Sequence, residues 1–336
     1  MTEPTPGGEA SGVRIAGTGM AIPERVLTND DLSEMVDTND QWIRQRTGIE
    51  QRHIADDDTG AIDLGRDAVR AALDQAGIDP QQLDLLICAT LTAEMSCPSS
   101  AARIVAELGA TPAGAVDISA ACSGFVYGMN MASALIASGQ QETVAVVGVE
   151  VLSRITNWED RRTCVLFGDG AGAAILTKDP EGTSGSLYQT NHSDGGKWAE
   201  LYVPRREEDL PDNRTTYSGK LNTLQMNGRE VYKFAVTTLK SCIDQALEEN
   251  NLTPDDLAMV IPHQSNARIL ESARDRLGLP EDKFCINIQR YGNTSAASVP
   301  ICLHELMDEG RLNPGDLVLF VALGGGMTWA SNLWRL

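Results

Sequence analysis

Basic residues are scarce in this chain, 27 Lys and Arg against 47 Asp and Glu, which gives a formal net charge of −20 over 336 residues. Nucleic-acid phosphates are held by basic faces, and no long basic run is present, so a nucleic-acid partner is not expected. An acidic ligand would need a local patch. The clusters that offer one are Arg205-Arg206, Arg161-Arg162 and the series Arg268, Arg274 and Arg276. The same arginines read equally well as a solvated surface. The chain also has no apolar run long enough to span a bilayer, and Met1 to Gly12 is polar and does not pass from a basic to an apolar region. No membrane partner is therefore expected, and the cytoplasm is the expected compartment. The four histidines (His53, His192, His263, His304) have no ligand spacing, and the seven cysteines include no Cys-x-x-Cys pair. Neither a metal site nor a disulfide framework is predicted, and the thiols are expected to be reduced.

What is present suffices for a large core. Hydrophobic residues make up 42% of the chain, and the length suits two domains or one duplicated unit. The second alternative has direct support. Residues 72–87 read ALDQAGIDPQQLDLLI and residues 246–261 read ALEENNLTPDDLAMVI, in register without a gap. In each copy a helix ends at Gly77 or Asn251, a Pro follows, and an apolar strand comes next, Leu83 to Cys88 or Leu257 to Ile261. Alternation of Val/Ile/Leu runs with helical stretches predicts an α/β fold of helix-covered sheets. The expected division is a flexible tail over 1–12, one half over 13–178 and a second over 179–336. Residues 180–221 are polar and read as a solvated connection.

Cys122 is the leading candidate for chemistry. An apolar strand runs through Ala115-Val116-Asp117-Ile118 into Ser119-Ala120-Ala121-Cys122-Ser123-Gly124, and helical spacing follows over Phe125 to Ser138. That places the thiol in a first helical turn, where unpaired N–H groups and the helix dipole lower a cysteine pKa. Small neighbours would let a substrate approach. His263 follows an apolar strand directly, flanked by Pro262 and by polar Gln264, Ser265 and Asn266; it reads as a presented side chain or as a loop hydrogen-bonder. Asn293 lies on a Gly- and Ala-rich turn, at a place roughly equivalent to that of Cys122 in the first half, and reads as a site residue or as a helix cap. Gly324-Gly325-Gly326 closes a strand as a simple turn or as a backbone N–H donor.

These segments carry a family resemblance. Trp42-Ile43 with Arg46-Thr47-Gly48-Ile49, Ala120-Ala121-Cys122-Ser123-Gly124-Phe125, Phe167 to Ala173, Pro262-His263-Gln264-Ser265-Asn266, Gly292 to Pro300 and Gly324 to Trp329 occur in order from Val13 to Leu336. The ordered set resembles the β-ketoacyl-acyl-carrier-protein synthase III family of the thiolase superfamily, which starts fatty-acid synthesis. The resemblance implies a thiolase-like fold of two duplicated α/β halves in five layers, α-β-α-β-α, and a homodimer. It implies catalysis by Cys122, His263 and Asn293, with an oxyanion hole at the N–H groups of Cys122 and Gly325. The implied substrates are acyl-CoA, in the first instance acetyl-CoA, and malonyl on acyl carrier protein, with no cofactor. Thr38, Trp42, Arg46 and Arg161 would border coenzyme A. The carrier protein would meet Gln264, Ser265, Asn266, Ala267 and Arg268, together with Lys233, Arg274 and Arg276.

The chain departs from many relatives at two acyl-pocket positions, with Cys97 where an aromatic residue is common and Leu323 where Phe is common, which implies a wider pocket. A degradative thiolase would carry a second cysteine near the C-terminal glycines, and none is there. The Gly-Phe-Gly-Pro-Gly ending of type III polyketide synthases is also absent. A starter-unit synthase or acyltransferase of secondary metabolism on the same fold stays open. A carrier-protein-binding scaffold without activity would have no use for all three of Cys122, His263 and Asn293.

Overall fold

The computed structural model describes residues 9–212 and 220–336. Two sheets with one shared plan organise the chain. The first has the strand order Val13–Ala21, Gly170–Lys178, Thr143–Glu150, Leu85–Ala89, Gly114–Ile118. The second runs Gly185–Ser193, Thr328–Arg335, Leu317–Gly324, Met259–Pro262. In both, reading in these orders, the first two pairings are antiparallel and the pairings that follow, out to the other edge, are parallel. A fifth strand is reduced in the second sheet to a single parallel bridge between Val260 and Phe284.

Helices fill the spaces in a way their sequences dictate. Ala61–Ala76 buries Ile62, Leu64, Ala68, Val69, Ala72 and Leu73, a one-sided helical stripe, and stops at Gly77 with φ 66°. With Ser100–Leu108 it covers the outer face of the first sheet. Gly228–Glu249 and Ala267–Leu277 cover the outer face of the second, and Asn251 beyond the former has φ 54°. Gly124–Ala137 and Ser298–Asp308 lie between the sheets, so they are apolar around most of their surface. Five layers result, α-β-α-β-α. Strand Thr143–Glu150, with a helix layer on each face, is buried from Val144 onward.

The repeat survives in detail at the centre. Each middle helix is entered through one tight 3₁₀ turn, Ala121–Ser123 in the first half and Ser295–Ala297 in the second, 174 positions on. Both turns begin at a non-glycine residue with positive φ, Ala121 at 46° and Ser295 at 49°. The counterpart of Cys122 is therefore Ala296, three residues beyond Asn293, which sharpens the rough equivalence drawn from the sequence.

Two other expectations need correction. The polar stretch after Pro180 is more than a connection, since Gly185–Ser193 is the edge strand of the second sheet and Leu201 and Val203 pack with Leu152, Phe167 and Leu224. Residues 213–219 of that stretch and the tail over 1–8 lie outside the described residues. The end of the tail is tied down, with the N–H groups of Ser11 and Gly12 donating to the carbonyls of Ser186 and Ser184 at 3.1 and 3.0 Å.

Glycine is required where the layers touch. A β-carbon on Gly148 would run into the Ala296 carbonyl. Gly148→Ala is expected to cost about 1–3 kcal/mol, the usual penalty of overpacking, read as a lower urea midpoint at unchanged slope.

Candidate active site

The two 3₁₀ turns and the tips of the second sheet's strands converge on one cavity of about 460 Å³. Cys122, His263, Asn293, Ser295, Gly325 and Leu323 all line it. Cys122 sits in the middle of its turn, just before the helix proper begins at Gly124. The turn is fastened to the far half. Ser123 Oγ and Thr328 Oγ1 are 2.7 Å apart, and Thr328 Oγ1 also lies 2.9 Å from the Ala120 carbonyl and 3.1 Å from that of Gly325. A β-carbon on Gly324 would stand 2.7 Å from Cys122 N, so only glycine lets the strand tip come this close to the nucleophile.

Burial decides the charge states. It pushes the Cys122 thiol up to about 12, the Ser295 side chain pulling the other way. The expectation of a lowered thiol pKa is thus overturned for the resting site. Being at the helix entrance does not offset the loss of water around a thiolate. The His263 ring is lowered to about 3 by burial and stays neutral.

His263 and Asn293 are held by their second-half neighbours. Ser298 Oγ lies 2.7 Å from His263 Nδ1 and 2.9 Å from the Ser295 carbonyl, and the Gln264 N–H donates to it at 3.3 Å. The Ser298 hydroxyl has one proton to give. Donated to Nδ1, it leaves the ring's own proton on Nε2, the nitrogen not engaged by Ser298; donated to the carbonyl, it leaves that proton on Nδ1. The Ser295 N–H donates to Asn293 Oδ1 at 2.8 Å, which fixes the amide and leaves Nδ2 for a ligand.

A basic, aromatic rim borders the mouth. The helix Asp40–Thr47, capped by Asn39, presents Trp42 half-buried, with the Arg46 and Arg161 guanidinium groups 5.2 and 5.5 Å from its ring. Trp42 and Arg46 line the cavity, as do Arg162 and Arg205, which belong to two of the basic clusters that the sequence offered for an acidic ligand. Arg161 is paired with Asp37 and does not line the cavity, and neither does Thr38, whose hydroxyl is buried without a partner among the described residues.

The residues expected at a carrier-protein face divide. Lys233, Arg268 and Arg276 are exposed. Gln264 is buried, donating to the carbonyls of Pro262 and Cys285 and accepting from the Asn287 N–H. Ala267 is buried against Gly48. Both are structural and cannot meet a partner. Ser265 lines the cavity and Asn266 caps its helix while donating to the Arg46 carbonyl. Arg274 is taken up by Asp275 and Glu281. Of the two acyl-pocket residues, Leu323 lines the cavity; Cys97 is exposed and does not line it within this chain.

Several residues here escaped the sequence reading. Leu201 and Val203 wall the cavity from the stretch read as a connection, whose polarity hid them, and Leu224 and Met226 join them from just beyond it. Glu150 is fully buried beside the site, raised to about 7 by burial against the hydrogen bonds of Thr92, Leu91 and Ser295. Its signal was legible, as a lone carboxylate closing the apolar run from Val144 to Val149.

A family model described as 3-oxoacyl-[acyl-carrier-protein] synthase III matches residues 116–195, and one for the C-terminal part of that family matches residues 247–336. The matched spans contain Cys122, His263, Asn293 and Gly325. A β-ketoacyl-[acyl-carrier-protein] synthase III of Symbiobacterium thermophilum is 48% identical over 323 residues, 96% of this chain and 98% of the relative. The crystal structure of the 3-oxoacyl-[acyl-carrier-protein] synthase III of Aquifex aeolicus is similar at a TM-score of 0.89 and 43% identity, covering 97% of this chain and 100% of that one. A priming β-ketosynthase of a polyketide biosynthetic pathway matches with a TM-score of 0.90 at 33% identity, covering 100% and 99% of the two chains. With identity at this level along nearly the whole length and a shared thiolase-like architecture, this chain belongs to the β-ketoacyl-acyl-carrier-protein synthase III family of condensing acyltransferases.

Proposed function

We propose that the protein condenses an acyl-CoA primer, acetyl-CoA in the first instance, with malonyl-acyl-carrier protein to give 3-oxoacyl-carrier protein, CO2 and coenzyme A. The observation that carries this reading is the convergence of Cys122, His263 and Asn293 on one largely apolar cavity with a basic, aromatic mouth. In the first half-reaction Cys122 Sγ attacks the thioester carbonyl, the N–H groups of Cys122 and Gly325 receive the oxyanion, and coenzyme A leaves as its thiolate. In the second, malonyl loses CO2 and its thioester oxygen becomes an enolate. Asn293 Nδ2 and His263 Nε2–H donate to that oxygen, the latter with Ser298 donating to Nδ1. A neutral imidazole suits this task, and burial keeps it neutral. The enolate carbon then displaces the sulfur. The chemistry calls for no electron-sink cofactor, because hydrogen bonds hold the negative charge.

Trp42, Arg46, Arg162 and Arg205 suit the adenine and phosphates of coenzyme A by stacking and charge. Arg268, Arg276 and Lys233 suit an acidic carrier protein, as a local basic face on an acidic chain. The homodimer is supported by the outer edge of the first sheet, where the strand Gly114–Ile118 is paired on one side only and carries an exposed Val116. The likeness to a polyketide priming ketosynthase favours a second reading, the same chemistry feeding a secondary-metabolite carrier protein. Rates on the two classes of carrier protein separate the readings.

Incubation with labelled acetyl-CoA is expected to place the label on Cys122, located by peptide mass, and label elsewhere would defeat the mechanism. Asn293→Ala and His263→Ala are each expected to keep that labelling and to slow malonyl decarboxylation by about 10²–10³, the cost of one oxyanion donor. Arg268→Glu is expected to raise KM for the malonyl-carrier protein at low salt while leaving KM for acetyl-CoA unchanged, and the difference should shrink as salt is added.

A further inference from the structure

Arg52 is wholly buried, and the reaction above gives it no part. It stands on the short strand Gln51–His53, opposite Leu27 of Val26–Thr28. Its guanidinium meets neutral oxygens. Nη1 donates to the Leu27 carbonyl at 3.1 Å and to Asn29 Oδ1 at 2.9 Å, and Nη2 donates to the Val165 carbonyl at 2.8 Å. Nε is buried with no partner among the described residues. A buried cation that only neutral groups serve is costly, and a well-packed apolar side chain often holds a fold as firmly. The reason for it lies in what its donors hold.

Val165 opens a segment that reaches the site. Val165, Leu166 and Phe167 line the cavity, and Phe167 forms a parallel bridge with Asn293. Both main-chain groups of Asn293 are taken up there: its N–H donates to the Leu166 carbonyl at 2.8 Å, and its carbonyl accepts from the Gly168 N–H at 3.1 Å. Arg52 also packs against this bridge through its Cβ. A β-carbon on Gly168 would stand 3.1 Å from Arg52 Cβ and one on Gly292 3.2 Å, so the bridge rests on Arg52 at the two glycines that flank it. The guanidinium is fixed on its other side as well. Asn29, which takes Nη1, donates from Nδ2 to the Ile49 carbonyl at 2.8 Å and to Asp40 Oδ1 at 2.9 Å.

We propose that Arg52 is the positioning residue for Asn293. By holding the Val165 carbonyl and bracing the glycines on either side of the bridge, it fixes the Leu166–Gly168 segment, and that segment fixes the backbone from which the Asn293 amide reaches the enolate. Arg52 touches no reacting atom and acts through main-chain groups alone. A short side chain leaves Nδ2 little freedom to correct a displaced backbone, and a misplacement of about 1 Å can cost a hundredfold in rate.

The other two members of the site do not share this anchor. The His263 N–H donates to the Val321 carbonyl at 2.8 Å and its ring meets Ser298, both in the second half. Cys122 rides on the turn fastened by Thr328. Loss of Arg52 should therefore fall on one donor of the pair and spare the nucleophile, whereas loss of a residue that merely supports the fold would weaken all three alike.

The inference rests on the proposed condensing function, and the test separates the two. It uses Arg52→Met in the full chain, beside Asn293→Ala and His263→Ala. Malonyl decarboxylation is expected to slow by about tenfold to a hundredfold, while labelling of Cys122 at saturating acetyl-CoA stays within about threefold of wild type. Adding Arg52→Met to Asn293→Ala is expected to cost nothing more, and adding it to His263→Ala to cost its full factor. Hydrogen exchange is expected to quicken in peptides covering Asn293 and to stay unchanged in peptides covering His263. Labelling lost as deeply as decarboxylation, a full additional cost on Asn293→Ala, or unchanged exchange at Asn293 would each overturn the inference. Arg52→Lys keeps a buried cation but cannot hold the Asn29 and Val165 oxygens together as a planar guanidinium does, and it carries the same expectations should Arg52→Met not fold. A wild-type protein that does not decarboxylate malonyl-carrier protein defeats the condensing function, and the exchange comparison then decides the role of Arg52.

Discussion

Exclusion of water from the junction between the two sheets is the constraint on which this site depends. The same burial raises a thiol, raises a carboxyl and lowers an imidazole, so each group rests in its uncharged form or close to neutrality near physiological pH. Charges then appear only as bonds change, and fixed donors meet them in a medium where electrostatic interactions are strong. A wetter junction would stabilise thiolate and imidazolium at rest and would weaken the donors' hold on an enolate.

Dryness follows from packing. Two middle helices, apolar nearly all round, are pressed between sheets whose central strands are buried on both faces. Gly148 and Gly324 remove the side chains that would hold these layers apart. The duplicated plan supplies the rest. One left-handed entry turn, used twice, presents a sulfur in the first half and a hydroxyl in the second, and the two come together because the halves face each other. Divergence within a common scaffold has thus placed unlike groups on like turns, the sulfur at the second residue of one and the hydroxyl at the first residue of the other.

Much of this was legible in the chain. The gapless repeat, Gly77 and Asn251 at helix ends and the apolar runs gave the two-sheet plan, because short-range patterns fix such elements. Cys122, His263, Asn293 and Gly325 could be named because each sits where a strand or helix begins or ends. The thiol's charge state was misread, since a helix entrance is a local feature whereas burial is the sum of contacts from both halves. Gln264 and Ala267 were misassigned for a related reason: both belong to a polar-looking segment, yet one pairs with buried backbone and the other packs on Gly48. Leu201 and Val203 in the cavity wall come from a stretch whose average polarity concealed their apolar contacts, and Leu224 and Met226 follow just beyond it.

The strand Gly114–Ile118 is the outer edge of the first sheet, paired on one side only, and it leads within four residues to Cys122. Edge strands open more readily than central ones. The nucleophile's seat is thus held by Thr328 on one side and, on the other, only as firmly as that edge is held. An edge that does not line the cavity therefore has a mechanical say in how sharply the sulfur is aimed.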